Sequence, residues 1–303
     1  MIYDCIIVGG GIAGLQAAIQ LGRYSIHKVL VIDAGEGRST ICRNYHNILG
    51  FPEGISGEEI RRRGRAHAEA TGIEFCTDRI TSAKKEGELF LLNGNHDQLY
   101  QARTLLLATG ITDRHPNIPG LRDALGMSVY ICPDCDGYEI ENKRTVIMGS
   151  GVTGAGMANI LAKRASEMIY INHDQAELTS KLRDKLSQKG VQYIEEAITE
   201  VESDDKGMIT AVKLANGTVV EAERGFIAFG DNKVHSELAE QLGAKVEGNK
   251  HVEADGRSRM SSVPNLWIAG DIGLHSEQAA VAMGDGLLSA IWINKALHQM
   301  HSS

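Results

Sequence analysis

Two short glycine patterns, each set between an apolar run and a helix-forming stretch, leave this chain few folds to adopt. Tyr3-Asp4-Cys5-Ile6-Ile7-Val8 is an apolar run of the kind buried in parallel sheets. Gly9-Gly10-Gly11-Ile12-Ala13-Gly14 follows, then a helical stretch from Leu15 to Leu21, then Lys28-Val29-Leu30-Val31-Ile32, which ends at Asp33. Gly9 suits the tight turn, Gly11 lets a pyrophosphate approach the backbone, and Gly14 lets the helix pack on the strand. Asp33 stands where ribose hydroxyls need an acceptor. A lone GxGxxG is weak, but a strand before it and an acid at that distance make it specific.

The pattern recurs. Arg144-Thr145-Val146-Ile147-Met148 reads as a strand, Gly149-Ser150-Gly151-Val152-Thr153-Gly154 as the turn, Ala155 to Lys163 as a helix and Glu167-Met168-Ile169-Tyr170-Ile171 as the next strand. At 303 residues the chain has room for two cores. The fold class expected is α/β, with two Rossmann-like dinucleotide-binding domains, the second inserted into the first. Pro116-Asn117-Ile118-Pro119-Gly120 marks the first crossing and Gly230 to His235 the return. This gives a discontinuous domain of residues 1–116 and 235–303 and an inserted one of 117–234. Two further apolar runs end in small-residue turns: Leu105-Leu106-Leu107-Ala108-Thr109-Gly110 and Leu266-Trp267-Ile268-Ala269-Gly270-Asp271. Gly284 and Gly286 follow the second in a helical context.

Cys132-Pro133-Asp134-Cys135-Asp136-Gly137 carries the chemistry. A CxxC closes a small disulfide loop that opens at little cost, which suits electron traffic. The same tetrapeptide can form half of a zinc site, but Cys5, Cys42 and Cys76 stand alone and offer no second pair. Five cysteines make a purely structural disulfide framework unlikely on parity and fit a reducing compartment with one working pair. A net charge of −8 argues against a nucleic-acid binder. No secretory signal follows Met1, and no apolar run is long enough for a bilayer, so a cytoplasmic protein is expected.

In order, GxGxxG, ATG, CxxC-Asp-Gly, a second GxGxxG and AGD cover essentially the whole chain. That order resembles the low-molecular-weight thioredoxin reductases and their relatives. The resemblance implies a homodimeric flavoprotein with FAD on the first unit, held by Gly9, Gly11, Gly14 and Asp33, with Thr109 and Gly110 of the ATG turn nearby. It puts Asp271 at the ribityl–phosphate region and Gln278 and Ala279 near the isoalloxazine ring. A second nucleotide would lie on Gly149, Gly151 and Gly154. By the same resemblance Cys135 exchanges electrons with the flavin, Cys132 attacks the substrate disulfide, and Asp136 protonates the leaving thiolate. Read without the family, Asp136 is a cap or turn former before Gly137.

The second unit departs from the family's NADPH site. Gly156 and Met157 stand where members carry a glutamate pair, and Asn172, His173 and Asp174 stand where they carry His-Arg-Arg. Asp174 would repel a 2′-phosphate. The later Gly-His-x-Pro-Asn signature reads Gly230-Asp231-Asn232-Lys233-Val234, and Ser276-Glu277-Gln278-Ala279 replaces the usual Arg-Gln-Ala. NADPH is therefore an unfavoured donor, and NADH, a second FAD or an empty site are the alternatives. The enzyme expected is a flavin-dependent disulfide oxidoreductase acting on a thioredoxin-like protein or a small disulfide or dithiol. Its donor would be NADH, a ferredoxin, a flavodoxin-like protein or a dithiol. The alternatives are a dithiol oxidase using oxygen and a non-catalytic redox sensor.

The run Arg61-Arg62-Arg63-Gly64-Arg65 after Glu58-Glu59 reads as a solvated helix face with local ion pairs, with a docking patch as its rival. Cys42 reads as ordinary packing. The 11 histidines show no metal-ligand spacing, with His46, His115 and His275 nearest the presumed site. The tail from His298 to Ser303 reads as frayed.

Overall fold

Continuous apolar strands demand burial on both faces, and the structure supplies it twice. The computed structural model describes residues 1–95 and 98–302. They form two compact units, one of Met1–Thr40, Ser56–Thr112 and Lys233–Ser303, the other of Ile41–Ile55 and Asp113–Asn232. The chain thus changes unit at 112/113 and 232/233, and residues 41–55, expected with the first domain, group with the second unit.

The first unit is built on a seven-stranded sheet. Ile2–Val8 lies between Val29–Asp33 and Leu99–Leu107, parallel to both, and Leu266–Ile268 runs parallel beside the end of Leu99–Leu107. Glu74–Thr77 closes one edge, while Leu89–Gly94 and Ile80–Glu86 extend the other as an antiparallel meander. Ile6, Val8, Leu30, Ile32, Leu105 and Leu107 are buried in one cluster. Cys5, Ile7, Val31, Leu106 and Trp267 alternate with them and are also buried, which is why these strands read as unbroken apolar runs. The helix Ile12–Tyr24 follows the glycine turn. It starts earlier than the Leu15 expected, because the last glycine of the turn already lies inside it. The helix Ala279–Ser302 includes all but the last residue of the supposed frayed tail, a correction to that expectation; Ser303 lies outside the described residues.

The second unit repeats the plan with a five-stranded parallel sheet, ordered Gln192–Ile194, Glu167–Asn172, Arg144–Gly149, Arg224–Ala228, Val129–Tyr130. Met148, Ile169, Ile171 and Ile227 face one buried cluster, and Ile147, Met168, Tyr170 and Phe226 the other. The helix Gly151–Leu161 follows its glycine turn, again starting before the Ala155 expected. Antiparallel strands Ile198–Ser203, Ile209–Leu214 and Val219–Glu221 form a small separate sheet. The two dinucleotide-binding folds expected from the glycine patterns are both present.

Close backbone approach fixes where the glycines fall. A β-carbon at residue 14 would overlap the carbonyl oxygen of Gly9, and one at residue 9, where φ is +109°, would overlap that of Ala108. In the second unit a β-carbon at residue 154 would enter the ring of Tyr170. Gly14→Ala is expected to lower the unfolding free energy by about 1–3 kcal/mol, the usual cost of overpacking. Urea denaturation of the purified variant checks this, and an unchanged midpoint would refute the proposed close packing.

Candidate functional site

The cysteine pair sits at the start of a short helix because its own residues stop the preceding strand. Val129–Tyr130 ends two residues earlier, Cys132 caps the helix Pro133–Asp136, and Pro133 takes the first helical position, where its missing N–H costs nothing. Cys132 and Cys135 are joined as a disulfide with their Cα atoms 5.3 Å apart, and the Cys135 N–H points at the Cys132 sulfur, 3.2 Å away. Gly137 ends the motif for a steric reason: a β-carbon there would overlap the Pro133 carbonyl oxygen and lie 2.7 Å from Arg164 Nη1. Among the described residues no group of three His, Cys, Asp or Glu side chains is placed to hold a metal ion.

Asp136, beside the inner cysteine, does not behave as a surface carboxylate. Burial pushes its pKa up to about 7, and the negative charge of Glu139 adds to the rise. Residues 41–55 bring Cys42 and His46 to this neighbourhood. Burial, and then the charge of Asp136, push the Cys42 thiol up to about 12, so it stays protonated. His46 Nδ1 lies 3.5 Å from Glu139 Oε1, and its Nε2 shares a 2.8 Å hydrogen bond with Asn44 Nδ2. Nothing in the spacing of Cys42, Asp136 and Glu139 along the chain announces this meeting.

The first glycine turn is open where a phosphate would need it open. No heavy atom lies within 4 Å of a β-carbon built on Gly11. Asp33 ends its strand with Oδ1 accepting from the Gly10 N–H at 3.1 Å and Oδ2 from Arg61 Nη2 at 2.8 Å. A carboxylate has about four acceptor sites, so it retains capacity for a ribose. Open turn, helix N-terminus and strand-end acid together fit a dinucleotide such as FAD. Arg61 therefore leaves the solvated face expected of its run, whereas Arg62 and Arg63 pair with Glu59, and Arg65 pairs with Glu69, as expected.

The second turn is held differently. The Gly151 N–H donates to Asn172 Oδ1 at 2.9 Å, the Gly151 carbonyl accepts from Tyr170 Oη at 2.8 Å, and a β-carbon at Gly151 would lie 3.2 Å from Ala176 Cβ. Buried Asn172 also donates to Ala176 O and Tyr193 Oη. It latches the turn. His173 Nδ1 accepts from the Ile198 N–H at 2.9 Å and its ring stands edge-on to Phe229. Asp174 Oδ2 accepts from Arg114 Nη2 at 2.9 Å. Counting downstream from Gly149 shows no arginine at this strand end, yet one arrives from 60 residues upstream of Asp174.

The profile of the family described as pyridine nucleotide-disulphide oxidoreductase matches residues 3–286. The chain belongs to that family. It is accordingly an FAD-dependent disulfide oxidoreductase, similar to thioredoxin reductases. A thioredoxin reductase of Mycolicibacterium smegmatis is 28% identical over 96% of this chain and 95% of its own. A glucosaminate ammonia-lyase of Pseudomonas fluorescens is 29% identical over 94% of this chain and 93% of its own. Among solved structures, a putative thioredoxin reductase TrxB from Bacillus anthracis superposes with a TM-score of 0.85 at 25% identity, covering 99% of each chain. Relatives named for different reactions share this scaffold, so the reaction must be argued from Cys132, Cys135 and Asp136.

Elsewhere in this oxidoreductase the expected site residues hold structural bonds as well. Thr109 Oγ1 donates to His235 O at 2.7 Å and Gly110 has φ +65°, so the ATG turn braces the strand pair Ile111–Thr112 and Lys233–Val234. His115 is half-buried in the segment that follows. Asp271 Oδ2 lies 3.2 Å from Arg38 Nη1, which also reaches Glu277 at 2.8 Å. The acid at 277 thus meets a cation from a distant turn. Gln278 precedes the last helix, its carbonyl accepting from Ala282 N, and Ala279 is the first helical residue. A buried array was missed: Asp285 Oδ1 lies 3.0 Å from Arg259 Nε, while Oδ2 accepts from the Gly270 N–H at 3.1 Å and bonds His275 Nε2 at 2.6 Å. The hydrogen bond to Asp285 raises the pKa of His275. His275 and the AGD run were noted in the sequence, but nothing there joined them to Asp285 or Arg259.

A carboxyl whose pKa is raised by folding stabilises the fold most when it is protonated. The contribution of Asp136 should be complete below about pH 4 and be lost as pH rises through about 7. Asp136→Asn should therefore flatten this part of the stability profile. Denaturation midpoints of both proteins between pH 4.5 and 8 check it, and parallel profiles would rule it out.

Proposed function

We propose that this enzyme passes electron pairs between FAD on the first glycine turn, the Cys132–Cys135 disulfide and an external disulfide or dithiol, a thioredoxin-like protein or a small molecule. The observation that carries the proposal is a cysteine pair closed as a disulfide and followed at once by a carboxyl held near neutrality. Gly9, Gly11, Gly14 and Asp33 would hold the adenine dinucleotide portion, with Thr109, Gly110, Asp271, Gln278 and Ala279 completing the site. FAD bound there supplies two-electron exchange with a dithiol.

The protein's own residues account for the rest. In the reduced pair the Cys132 thiolate attacks one sulfur of the substrate disulfide, forming a mixed disulfide and expelling a thiolate, which takes the proton of Asp136. The Cys135 thiolate then attacks the Cys132 sulfur, restoring the internal disulfide and releasing the second substrate sulfur as a thiolate, which takes a proton from solvent. The substrate gains two electrons and the cysteine pair loses two. An acid near pH 7 suits this, because it is substantially protonated at neutrality and recovers its proton readily. Homodimeric assembly and a reducing, cytoplasmic setting, supported by the unbridged Cys5, Cys42 and Cys76, belong to the same proposal.

Engagement of Asn172 and His173 in internal bonds also supports the reverse direction, with a dithiol substrate reducing the cysteine pair and oxygen leaving as hydrogen peroxide. Peroxide release with dithiols, and none with NAD(P)H plus a disulfide, would select this direction. Turnover as a reductase with a physiological disulfide would exclude the non-catalytic sensor.

Anaerobic dithionite titration tests the core of the proposal. Wild-type protein should take up two electrons for the flavin and two for the disulfide, and Cys135→Ser only those of the flavin; identical titrations would sink the assignment. Loss of an arginine contact to a phosphate costs about 1.5–3 kcal/mol, so NADPH should reduce the flavin at least roughly tenfold to a hundredfold less effectively than in relatives with the arginine clamp. Stopped-flow bleaching by NADPH, NADH, a ferredoxin, a flavodoxin-like protein and dithiothreitol checks this. Rapid bleaching by micromolar NADPH contradicts it.

A further inference from the structure

The strand ends above the second glycine turn carry one basic side chain surrounded by acceptors. Arg114 donates through Nη2 to Asp174 Oδ2 at 2.9 Å and through Nη1 to the Phe229 carbonyl at 3.1 Å, with Asp231 Oδ2 3.9 Å from Nη1. Its backbone N–H donates to Asn232 Oδ1 at 3.0 Å, and Asn232 in turn donates to Asp113. The guanidinium is thus anchored at the ends of Glu167–Asn172 and Arg224–Ala228. Asp174 follows the first of these strands, where a dinucleotide fold keeps its ribose acceptor. The Ser150 hydroxyl of the glycine turn also bonds it. Burial opposes ionisation there, but these hydrogen bonds outweigh it and hold the carboxyl below the usual range.

We propose that Arg114 and Asp174 form the ribose-discriminating element of the second site, admitting adenine dinucleotides with a free 2′-hydroxyl and refusing those with a 2′-phosphate. This deepens the disulfide-exchange function proposed above and rests on it for the presence of a second nucleotide. Asp174 offers its remaining acceptor capacity to the ribose hydroxyls. Arg114, whose charge Asp174 already neutralises and Asp231 adjoins, has none left for a phosphate dianion. One cation against two carboxylates leaves the position net negative, which repels such a group. The same arginine becomes a phosphate ligand once Asp174 loses its charge. Specificity is therefore set by a pair, and half of it comes from the first residues of the stretch Asp113–Asn232.

The probes are ADP-ribose and 2′-phospho-ADP-ribose, titrated calorimetrically into the purified flavoprotein. Wild type should bind ADP-ribose at least roughly tenfold more tightly than the phosphorylated form, a difference of about 1.4 kcal/mol. Asp174→Ser should reverse the preference, and adding Arg114→Ala to it should abolish the newly gained affinity for the phosphate. The isosteric Asp174→Asn should shift the preference the same way if the serine variant fails to fold. No gain in either Asp174 variant, a gain that survives the loss of Arg114, or no binding of either probe to any of the proteins would overturn the proposal. Bleaching of the same wild-type preparation with dithiothreitol reports separately on the flavin and disulfide chemistry.

Discussion

The carbonyl oxygen of Gly9 occupies the space that a β-carbon at residue 14 would need. That approach brings the helix Ile12–Tyr24 onto its strand, and its N-cap Gly11 makes no side-chain hydrogen bond at the end of the helix that favours an anion. Helix Ala279–Ser302 repeats the device, since a β-carbon at Gly286 would overlap the carbonyl oxygen of Ala13. Gly270, which belongs to the AGD turn, lies against Ala13 as well. A glycine-lined helix start therefore organises the first unit, and the polar array around Asp285 is pinned to the same place through the Gly270 N–H.

The two glycine turns share a pattern and differ in what their side-chain neighbours do with it. Gly11 is uncovered, while Gly151 has its N–H taken by Asn172 and its carbonyl by Tyr170. Both of those partners come from the strand Glu167–Asn172. In the first unit Asp33 instead bonds the neighbouring Gly10 N–H. The strand-end residue thus decides which donor of the turn is engaged internally, Asp33 taking that of Gly10 and Asn172 that of Gly151.

The local patterns were legible in the sequence because each is written in consecutive residues. Both strand–turn–helix–strand units, the terminal strand Leu266–Ile268 and the bridged CxxC could be read in this way. What could not be read came from residues distant in the chain. Arg114 reaches Asp174, Arg38 reaches Glu277, Arg61 reaches Asp33, and Cys42 shares surroundings with Asp136. Ion pairs of this kind have no period and no spacing rule, since a long flexible side chain meets its partner only after the backbone has folded. Helix starts were misplaced for a local reason, as glycines that suggest a turn lie here within the first helical residues.

The excursion of residues 41–55 bears on how such a protein can be recombined. The chain changes unit after Thr40, Ile55, Thr112 and Asn232, so the second unit is not one continuous stretch of the gene. A chimaera that exchanged 113–232 alone would join a foreign cysteine helix to the native loop carrying Cys42 and His46. That loop shapes the surroundings of Asp136 and Glu139. The smallest transplantable cassette therefore comes in two pieces, and its shorter piece lies within the gene for the other unit.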